Sequence, residues 1–154
     1  MSSATSTTKS KAARAFATLR FYGDRLDPER ISDIIKILPT KAWRKGESYF
    51  AGPHAGQLTG RTGTWFVTTE AYVQSPDLER HLAFLDRLLS HYTLGDRTRM
   101  SRLQTMMAED GVKADVSCFW HGRAGEPPPS IPAKAMQTLR ALPATIETDF
   151  DTDC

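Results

Sequence analysis

The residues best suited to chemistry lie in one short stretch, "DVSCFWHG" at positions 115–122, which holds Cys118 and His121. A cysteine and a histidine can act as a nucleophile and its general base only if they meet within about 3 Å. The stretch, however, has the composition of a β-strand, in which successive side chains point to opposite faces. Cys118 then shares a face with Val116 and Trp120, whereas His121 projects from the other face. We therefore predict a buried, unreactive Cys118, and a His121 at the strand end that faces solvent or bonds to a loop.

Other patterns typical of catalysis or metal binding are weak or missing in the sequence. The four histidines are scattered along the chain, at His54, His81, His91 and His121. No His-x-x-x-His or Cys-x-x-Cys pair occurs. Three aspartates alternate near the C-terminus (Asp149, Asp151 and Asp153) without the glycine and the distal glutamate of a calcium loop. Since phosphate-binding and nucleophile-elbow motifs are also missing, we predict no catalytic residue, no metal site and no cofactor.

A basic segment around an aromatic residue is the strongest candidate for a binding surface. Lys41, Arg44 and Lys45 surround Trp43 in "PTKAWRKGE", and Arg61 follows further along the chain. Cations interleaved with an aromatic side chain can hold an anionic group and stack against a planar one. The alternative interpretation is a tryptophan that covers the end of the preceding helix among solvated cations.

The first half of the chain predicts a strand, a helix and a second strand. Residues 15–22 alternate as a half-buried strand does. Asp27 can cap the following helix, and a proline suits its first position. The apolar residues of this helix form one stripe: Ile31, Ile34, Ile35 and Leu38. Glycines punctuate residues 40–63, so we expect an irregular loop with at most a short strand at "SYFA", and 46–62 as the least ordered internal segment. A strand follows at 63–70.

The second half predicts two helices, a strand, a third helix and a final strand. Ser75 can cap a helix with a leucine stripe, and Asp96 can cap the next helix, which Gly111 ends. The strand at 115–122 follows. Ser130 can cap the last helix, and "ATIETDF" closes the domain as a strand.

This order, β-α-β-α-α-β-α-β, indicates an α+β fold in which helices pack on a four-stranded sheet. Because two strand–helix–strand units flank a central helical pair, we expect a ferredoxin-like topology with inserted helices. The 154 residues suit one domain, which we place at 15–151, with a disordered tail at 1–14 and a short tail at 152–154.

Charge and composition limit the classes of partner. Residues 1–77 hold 11 basic and 7 acidic residues, and residues 78–154 hold 9 and 11, for a formal net charge of +2. This mild asymmetry lacks the concentrated basic face of a DNA-binding domain, so we do not expect a nucleic-acid partner. No apolar run is long enough to cross a bilayer. The two cysteines lack the spacing of a disulfide framework, which indicates a cytoplasmic protein.

Several stretches, taken in order, resemble the bacterial proteins of domain-of-unknown-function family 4279. They are "LRFYGDRLDPERISDIIKILPTKAWRKGE", "GTWFVTTE", "DLERHLAFLDRLL" and "IPAKAMQTLRALPATIETDFD". The resemblance covers roughly residues 17–150. It implies a single domain of that extent in a cytoplasmic bacterial protein, and it provides no catalytic residue to transfer.

Two classes of function fit these patterns best, and weak nucleic-acid binding by the basic segment around Trp43, marked by a steep salt dependence, is a third. The lack of a coherent set of acid, base, nucleophile and metal ligands favours a non-enzymatic binding or protein-interaction module, similar in kind to the small α+β immunity proteins that neutralise toxins. The alternative is an enzyme or a carrier for a small anionic ligand, which would use the segment around Trp43, Lys45 and Arg61. We therefore expect a protein partner or a small anion.

Overall fold

The computed structural model describes residues 13–50, 56–91 and 97–153. Most of the tail expected at 1–14, the centre of the loop expected at 46–62, the predicted cap Asp96 and the terminal Cys154 lie outside the described residues. Within the described ranges, no helix is long and apolar enough to cross a membrane.

The described strands form a five-stranded mixed sheet and a separate two-stranded hairpin. The sheet contains β1 (Arg14–Gly23), β2 (Lys41–Trp43), β5 (Gly63–Thr68), β6 (Lys113–Gly122) and β7 (Thr145–Thr152), and the hairpin contains β3 (Ser48–Phe50) and β4 (Gln57–Thr59). The order across the sheet is β2-β5-β1-β6-β7. The central strand β1 therefore pairs with both β5 and β6, antiparallel in each case, while β6 and β7 are parallel.

Four α-helices occur in the described part of the chain: α1 (Pro28–Ile35), α2 (Leu78–Asp86), α3 (Arg97–Asp110) and α4 (Ala133–Ala141). A 3-10 turn at Thr69–Ala71 precedes α2, and a π-helical turn at Arg87–His91 follows it.

Side-chain capping explains where the first two helices begin. Asp27 Oδ1 accepts a hydrogen bond from the Glu29 amide at 3.1 Å, so the predicted cap of α1 is confirmed. For α2 the predicted cap Ser75 is wrong, because Asp77 caps the helix. A carboxylate forms a stronger, charge-assisted hydrogen bond with an amide than a hydroxyl does. Ser75 instead accepts a hydrogen bond from the Asp77 amide at 3.0 Å.

Two other helix boundaries differ from prediction for local reasons. The predicted cap Ser130 is wrong, because Ile131 precedes a proline and so avoids the helical conformation; α4 begins after Pro132. At its C-terminal end α1 stops before Lys36, which adopts a left-handed conformation with φ of 66°. Leu38 was predicted to continue the buried stripe but is 77% exposed.

The α+β class, with helices packed on a sheet, is confirmed. The sheet has five strands rather than four, because Lys41–Trp43 adds β2 at one edge. The ferredoxin-like topology is wrong. In a split β-α-β unit another strand lies between the two strands that a helix connects, whereas β1 pairs directly with β5 and β6 directly with β7.

One face of the sheet carries the core. Ala17, Leu19 and Phe21 of β1 point to this face beside Trp65 of β5 and Val116 of β6, and all five are 0% exposed. The alternation predicted for β1 is thus confirmed, and the apolar sides of the helices cover this face.

The opposite side of the sheet, which we call the open face, is not covered by any described helix. Its side chains are mostly half-buried or exposed. It consists of Arg14, Phe16, Thr18, Arg20, Tyr22, Lys41, Trp43, Thr64, Phe66, Thr68, Lys113, Asp115, Ser117, Phe119, His121, Glu147, Asp149 and Asp151.

A buried polar network ties the 3-10 turn to β1 and α2. Thr69 and His81 are both 0% exposed. Thr69 Oγ1 accepts a hydrogen bond from the Ala17 amide at 2.9 Å and lies 2.6 Å from His81 Nδ1. His81 Nε2 lies 2.8 Å from the Ser75 carbonyl oxygen, which can only accept, so Nε2 carries the hydrogen. In a neutral ring Nδ1 then accepts from the Thr69 hydroxyl, and each polar atom of the pair has a partner.

Candidate functional site

The segment around the predicted binding residues contains a β-hairpin, formed by β3 and β4. Strands β3 and β4 pair with each other, and two amide hydrogen bonds close the base of the hairpin, from Gly46 to Gly60 O at 2.9 Å and from Gly60 to Glu47 O at 2.8 Å. The short strand predicted at "SYFA" is confirmed as β3, whereas β2 and β4 add regular structure where an irregular loop is predicted. Strands of three residues are too short to show an alternating pattern.

Trp43 anchors this hairpin to the sheet. Its indole stacks on Tyr49 of β3, with ring centroids 3.9 Å apart and an interplanar angle of 1°. It meets Phe66 edge-on at 6.4 Å and donates from Nε1 to the Thr62 carbonyl at 3.1 Å. A Cβ atom on Gly60 would lie 2.4 Å from the indole, so this position requires glycine. Trp43 is thus a half-buried part of an aromatic group at one edge of the open face.

The four cations predicted to accompany Trp43 do not form one cluster. Arg44 Nη2 lies 2.7 Å from both Asp27 Oδ1 and Glu29 Oε1, at the start of α1. Lys45 Nζ lies 3.1 Å from Asp24 Oδ2. Arg44 and Lys45 therefore have carboxylate partners within the domain and hold the hairpin base against the start of α1.

The hydrogen bonds and charges within these ion pairs shift the pKa of Asp24 and of Arg44. The Thr62 hydroxyl and then Lys45 lower the pKa of Asp24, and the hydrogen bond to Glu29 raises the pKa of Arg44. Both shifts favour the charged forms of the two side chains.

The other two predicted cations are placed differently. Lys41 lies on the open face, where it pairs in register with Phe66. Arg61 is exposed and forms no ion pair with a described residue. Of the five predicted residues, the structure thus places Trp43 and Lys41 on the open face itself.

A second aromatic group lies across the sheet. Phe16 of β1 and Phe119 of β6 stack with centroids 4.8 Å apart and an interplanar angle of 18°. The Arg14 guanidinium carbon lies 5.3 Å from the first ring centroid and 5.7 Å from the second, and Glu70 holds this guanidinium at 2.5 Å. This ring pair therefore already accepts one cation.

The centre of the open face is an ion pair rather than a cavity. Arg20 donates to both carboxylate oxygens of Asp115, at 3.2 and 2.5 Å, and its guanidinium lies 4.6 Å from the Tyr22 ring centroid. The hydrogen bond to Asp115 raises the pKa of Arg20. Because the Asp115 side chain is only 5% exposed, Arg20 is needed to balance a nearly buried charge.

Strand β7 makes the far side of the open face acidic. Its open-face side chains include the exposed carboxylates of Glu147, Asp149 and Asp151, which we call the acidic edge. Asp149 lies beside Phe119 in the β6–β7 register. A groove of ≈ 270 Å³ runs here, lined among others by Phe16, Phe119, Glu147 and Asp149. Apolar rings and carboxylates thus border the same groove.

The residues that first suggested catalysis do not meet. Cys118 is 1% exposed, and burial raises the pKa of its thiol to about 11, so the predicted burial is confirmed. His121 lies on the other face, as predicted, where it is half-buried and its Nε2 is 2.7 Å from Asp153 Oδ1, just after β7. In the described part of the chain, no three His, Cys, Asp or Glu side chains come together as metal ligands would.

Sequence reasoning missed the open face as a surface. The alternation that identifies the core side of the strands also places Phe16, Phe66 and Phe119 together on the opposite side. Three aromatic side chains at polar-side positions were a signal available from the sequence. The pairing of β6 with β1 was not available, because it depends on tertiary structure.

Comparison with curated proteins and with solved structures finds no match. A protein-family model, described as a domain of unknown function (DUF4279), matches residues 11–153. This range contains every element of the sheet and all four helices described above. The chain therefore belongs to the DUF4279 family, the domain-of-unknown-function family that its sequence resembles.

Proposed function

We propose that this domain is a non-enzymatic protein-interaction module that binds its partner with the open face of its sheet. The observation that carries this proposal is one-sided packing: the described helices cover one face and leave the other without a layer. A surface with grouped aromatic side chains and a charged rim has the composition of many protein interfaces. An immunity protein that neutralises a toxin would be one module of this type.

Two aromatic groups support the proposal because they would supply apolar contact area. Trp43, Tyr49 and Phe66 form the first group, and Phe16 and Phe119 form the second. Aromatic side chains lose little conformational entropy on binding and often dominate interface energy. The aromatic side chains of the open face are already held by contacts between their rings, so they lose less conformational entropy when a partner binds.

The residues predicted from sequence contribute unequally to this proposal. Trp43 and Lys41 would contact the partner directly, and the exposed Arg61 would lie at the rim. Arg44 and Lys45 would position the hairpin through their carboxylate partners. A small anionic ligand receives less support, because these two cations are already neutralised. We also propose the cytoplasm as the place of action, since Cys118 is a free thiol.

The test compares three immobilised proteins in lysate from cells that express the protein. The face variant carries Phe66→Thr and Phe119→Thr, which keep strand propensity while removing both rings. The control variant carries Arg80→Ser and Gln137→Ser on the exposed sides of α2 and α4. Circular dichroism and thermal melting verify that all three are folded.

We expect mass spectrometry to identify a partner that the native protein and the control variant retain and the face variant loses. The proposal is wrong if the face variant captures the same proteins in the same amounts, or if the native protein captures none.

A further inference from the structure

Strand β7 is an edge strand whose open-face side chains are mostly acidic. In the described sheet it pairs on one side only, with β6. Its open-face positions carry Glu147, Asp149 and Asp151, and the alternating positions Ile146 and Phe150 pack partly against the core. An unpaired edge presents backbone N–H and C=O groups that can accept another strand.

The charges along this edge decide which strand can be added. Directly opposed side chains of neighbouring strands lie about 4.5–5.5 Å apart, and like charges in such pairs are destabilising. A second copy of β7 would place carboxylates near carboxylates. A strand with lysine or arginine at alternate positions would instead place a cation opposite each carboxylate. The pattern therefore disfavours self-pairing and favours a basic strand.

The neighbouring groove adds an independent reason to expect a cation. Phe16 and Phe119 border it together with Glu147 and Asp149. The same ring pair already holds the guanidinium of Arg14 at its periphery. Rings and carboxylates together attract a cation by both its charge and its contact with the ring face. Asp149 forms no ion pair with any described residue, so its charge is available to a partner.

We propose that β7 is the docking edge for an extended, basic segment of a partner protein, which adds a sixth strand to the sheet. Its lysine or arginine side chains would face Glu147, Asp149 and Asp151, and one of them would enter the groove beside Phe119. The alternating side chains would be small and apolar, because they face the Ile146 and Phe150 side of β7. This inference rests on the proposed function and specifies the chemistry of the partner.

The test uses a fluorescent peptide of alternating lysine and valine, seven residues long, with a glutamate–valine peptide of the same length as a control. Binding is measured by fluorescence anisotropy. The edge variant carries Glu147→Gln and Asp149→Asn. A control variant with the same net charge carries Glu79→Gln and Glu109→Gln on α2 and α3, so the general charge of the protein is matched.

We expect the lysine–valine peptide to bind the native protein and the glutamate–valine peptide not to bind. The edge variant should bind the basic peptide about tenfold more weakly, as expected for two lost cross-strand ion pairs, while the control variant changes the Kd by less than about twofold. Raising the salt concentration should weaken binding. Amide hydrogen exchange should slow along β7 when the peptide binds.

Three results would overturn the inference: no binding of the basic peptide, equal binding by the edge and control variants, or slowed exchange only in strands other than β7. The proposed function is tested by a different experiment, so its failure can be distinguished from the failure of this inference. If the lysate partner is lost from the face variant but the basic peptide does not bind, the open face binds protein and the basic-strand assignment is wrong.

Discussion

Replacing Thr69 with valine should destabilise the domain by about 3 kcal/mol. Valine has a methyl group where threonine has its hydroxyl, and that hydroxyl accepts from the Ala17 amide and bonds His81 Nδ1. Both groups are buried and would lose their partner. At about 2 kcal/mol for each unsatisfied group the cost is about 4 kcal/mol, and the added buried methyl group offsets about 0.8 kcal/mol of it.

The assay is urea denaturation followed by tryptophan fluorescence, with thermal melting as a second measurement. For a chain of 154 residues, a loss of 3 kcal/mol corresponds to a fall in Tm of about 6–12 °C. Thr69→Ser is the matched control, because it keeps the hydroxyl and removes only a methyl group, at about 1 kcal/mol. NMR correlation of the His81 ring nitrogens should show the hydrogen on Nε2 in the native protein.

Thr69→Ser costing as much as Thr69→Val would refute this reasoning, since packing alone would then explain the loss. A change below about 0.5 kcal/mol in Thr69→Val, at an unchanged slope of unfolding free energy against urea, would also refute it. A native His81 with its hydrogen on Nδ1 would show that the hydrogen bonds are assigned in the wrong direction.

Two further predictions concern the first helix and the buried thiol. Asp27→Ala should lower the free energy of unfolding by about 1 kcal/mol through loss of the cap, whereas Asp27→Asn, which keeps a capping oxygen, should cost less. Urea denaturation midpoints measure both variants. Equal midpoints for the two variants would show that the ion pair to Arg44, and not the cap, stabilises the domain. In a Cys154→Ser variant, Cys118 should react with a thiol reagent only as fast as the protein unfolds locally or globally, because its raised pKa and its burial leave no accessible thiolate. Rapid labelling of the folded protein would contradict this prediction.

Local chemistry and alternation could be predicted from the sequence. The capping of α1 by Asp27 depends only on neighbouring residues. The alternation of neighbouring residues likewise determines which side chains of β1 and β6 are buried, including Cys118. Where two local signals competed, the prediction was wrong. Ser75 and Asp77 can both cap α2, and a proline after Ile131 delays α4. Such choices depend on small differences in free energy that composition does not reveal.

Pairings between distant segments could not be predicted. Nothing in the sequence near Arg44 shows that it will form ion pairs with Asp27 and Glu29. Strand β2 is only three residues long and exists because β5 offers it a partner. The candidate site differs from the prediction for this reason: Arg44 and Lys45, expected to face a ligand, form ion pairs within the domain, and aromatic side chains from separate strands form the surface.

The position of β1 at the centre of the sheet has a consequence for how the domain folds. Arg20 and Asp115, paired between β1 and β6, are 95 residues apart in the chain. Two-state domains dominated by such distant pairings fold more slowly than those built on local contacts, because the entropy of closing the loop must be lost before the contacts form. Because β6 lies about 95 residues after β1 in the chain, the β6 edge of β1 stays unpaired until β6 has been synthesised. In that interval β5 can pair with one edge of β1, while the other edge remains open to aggregation unless a helix or a chaperone covers it.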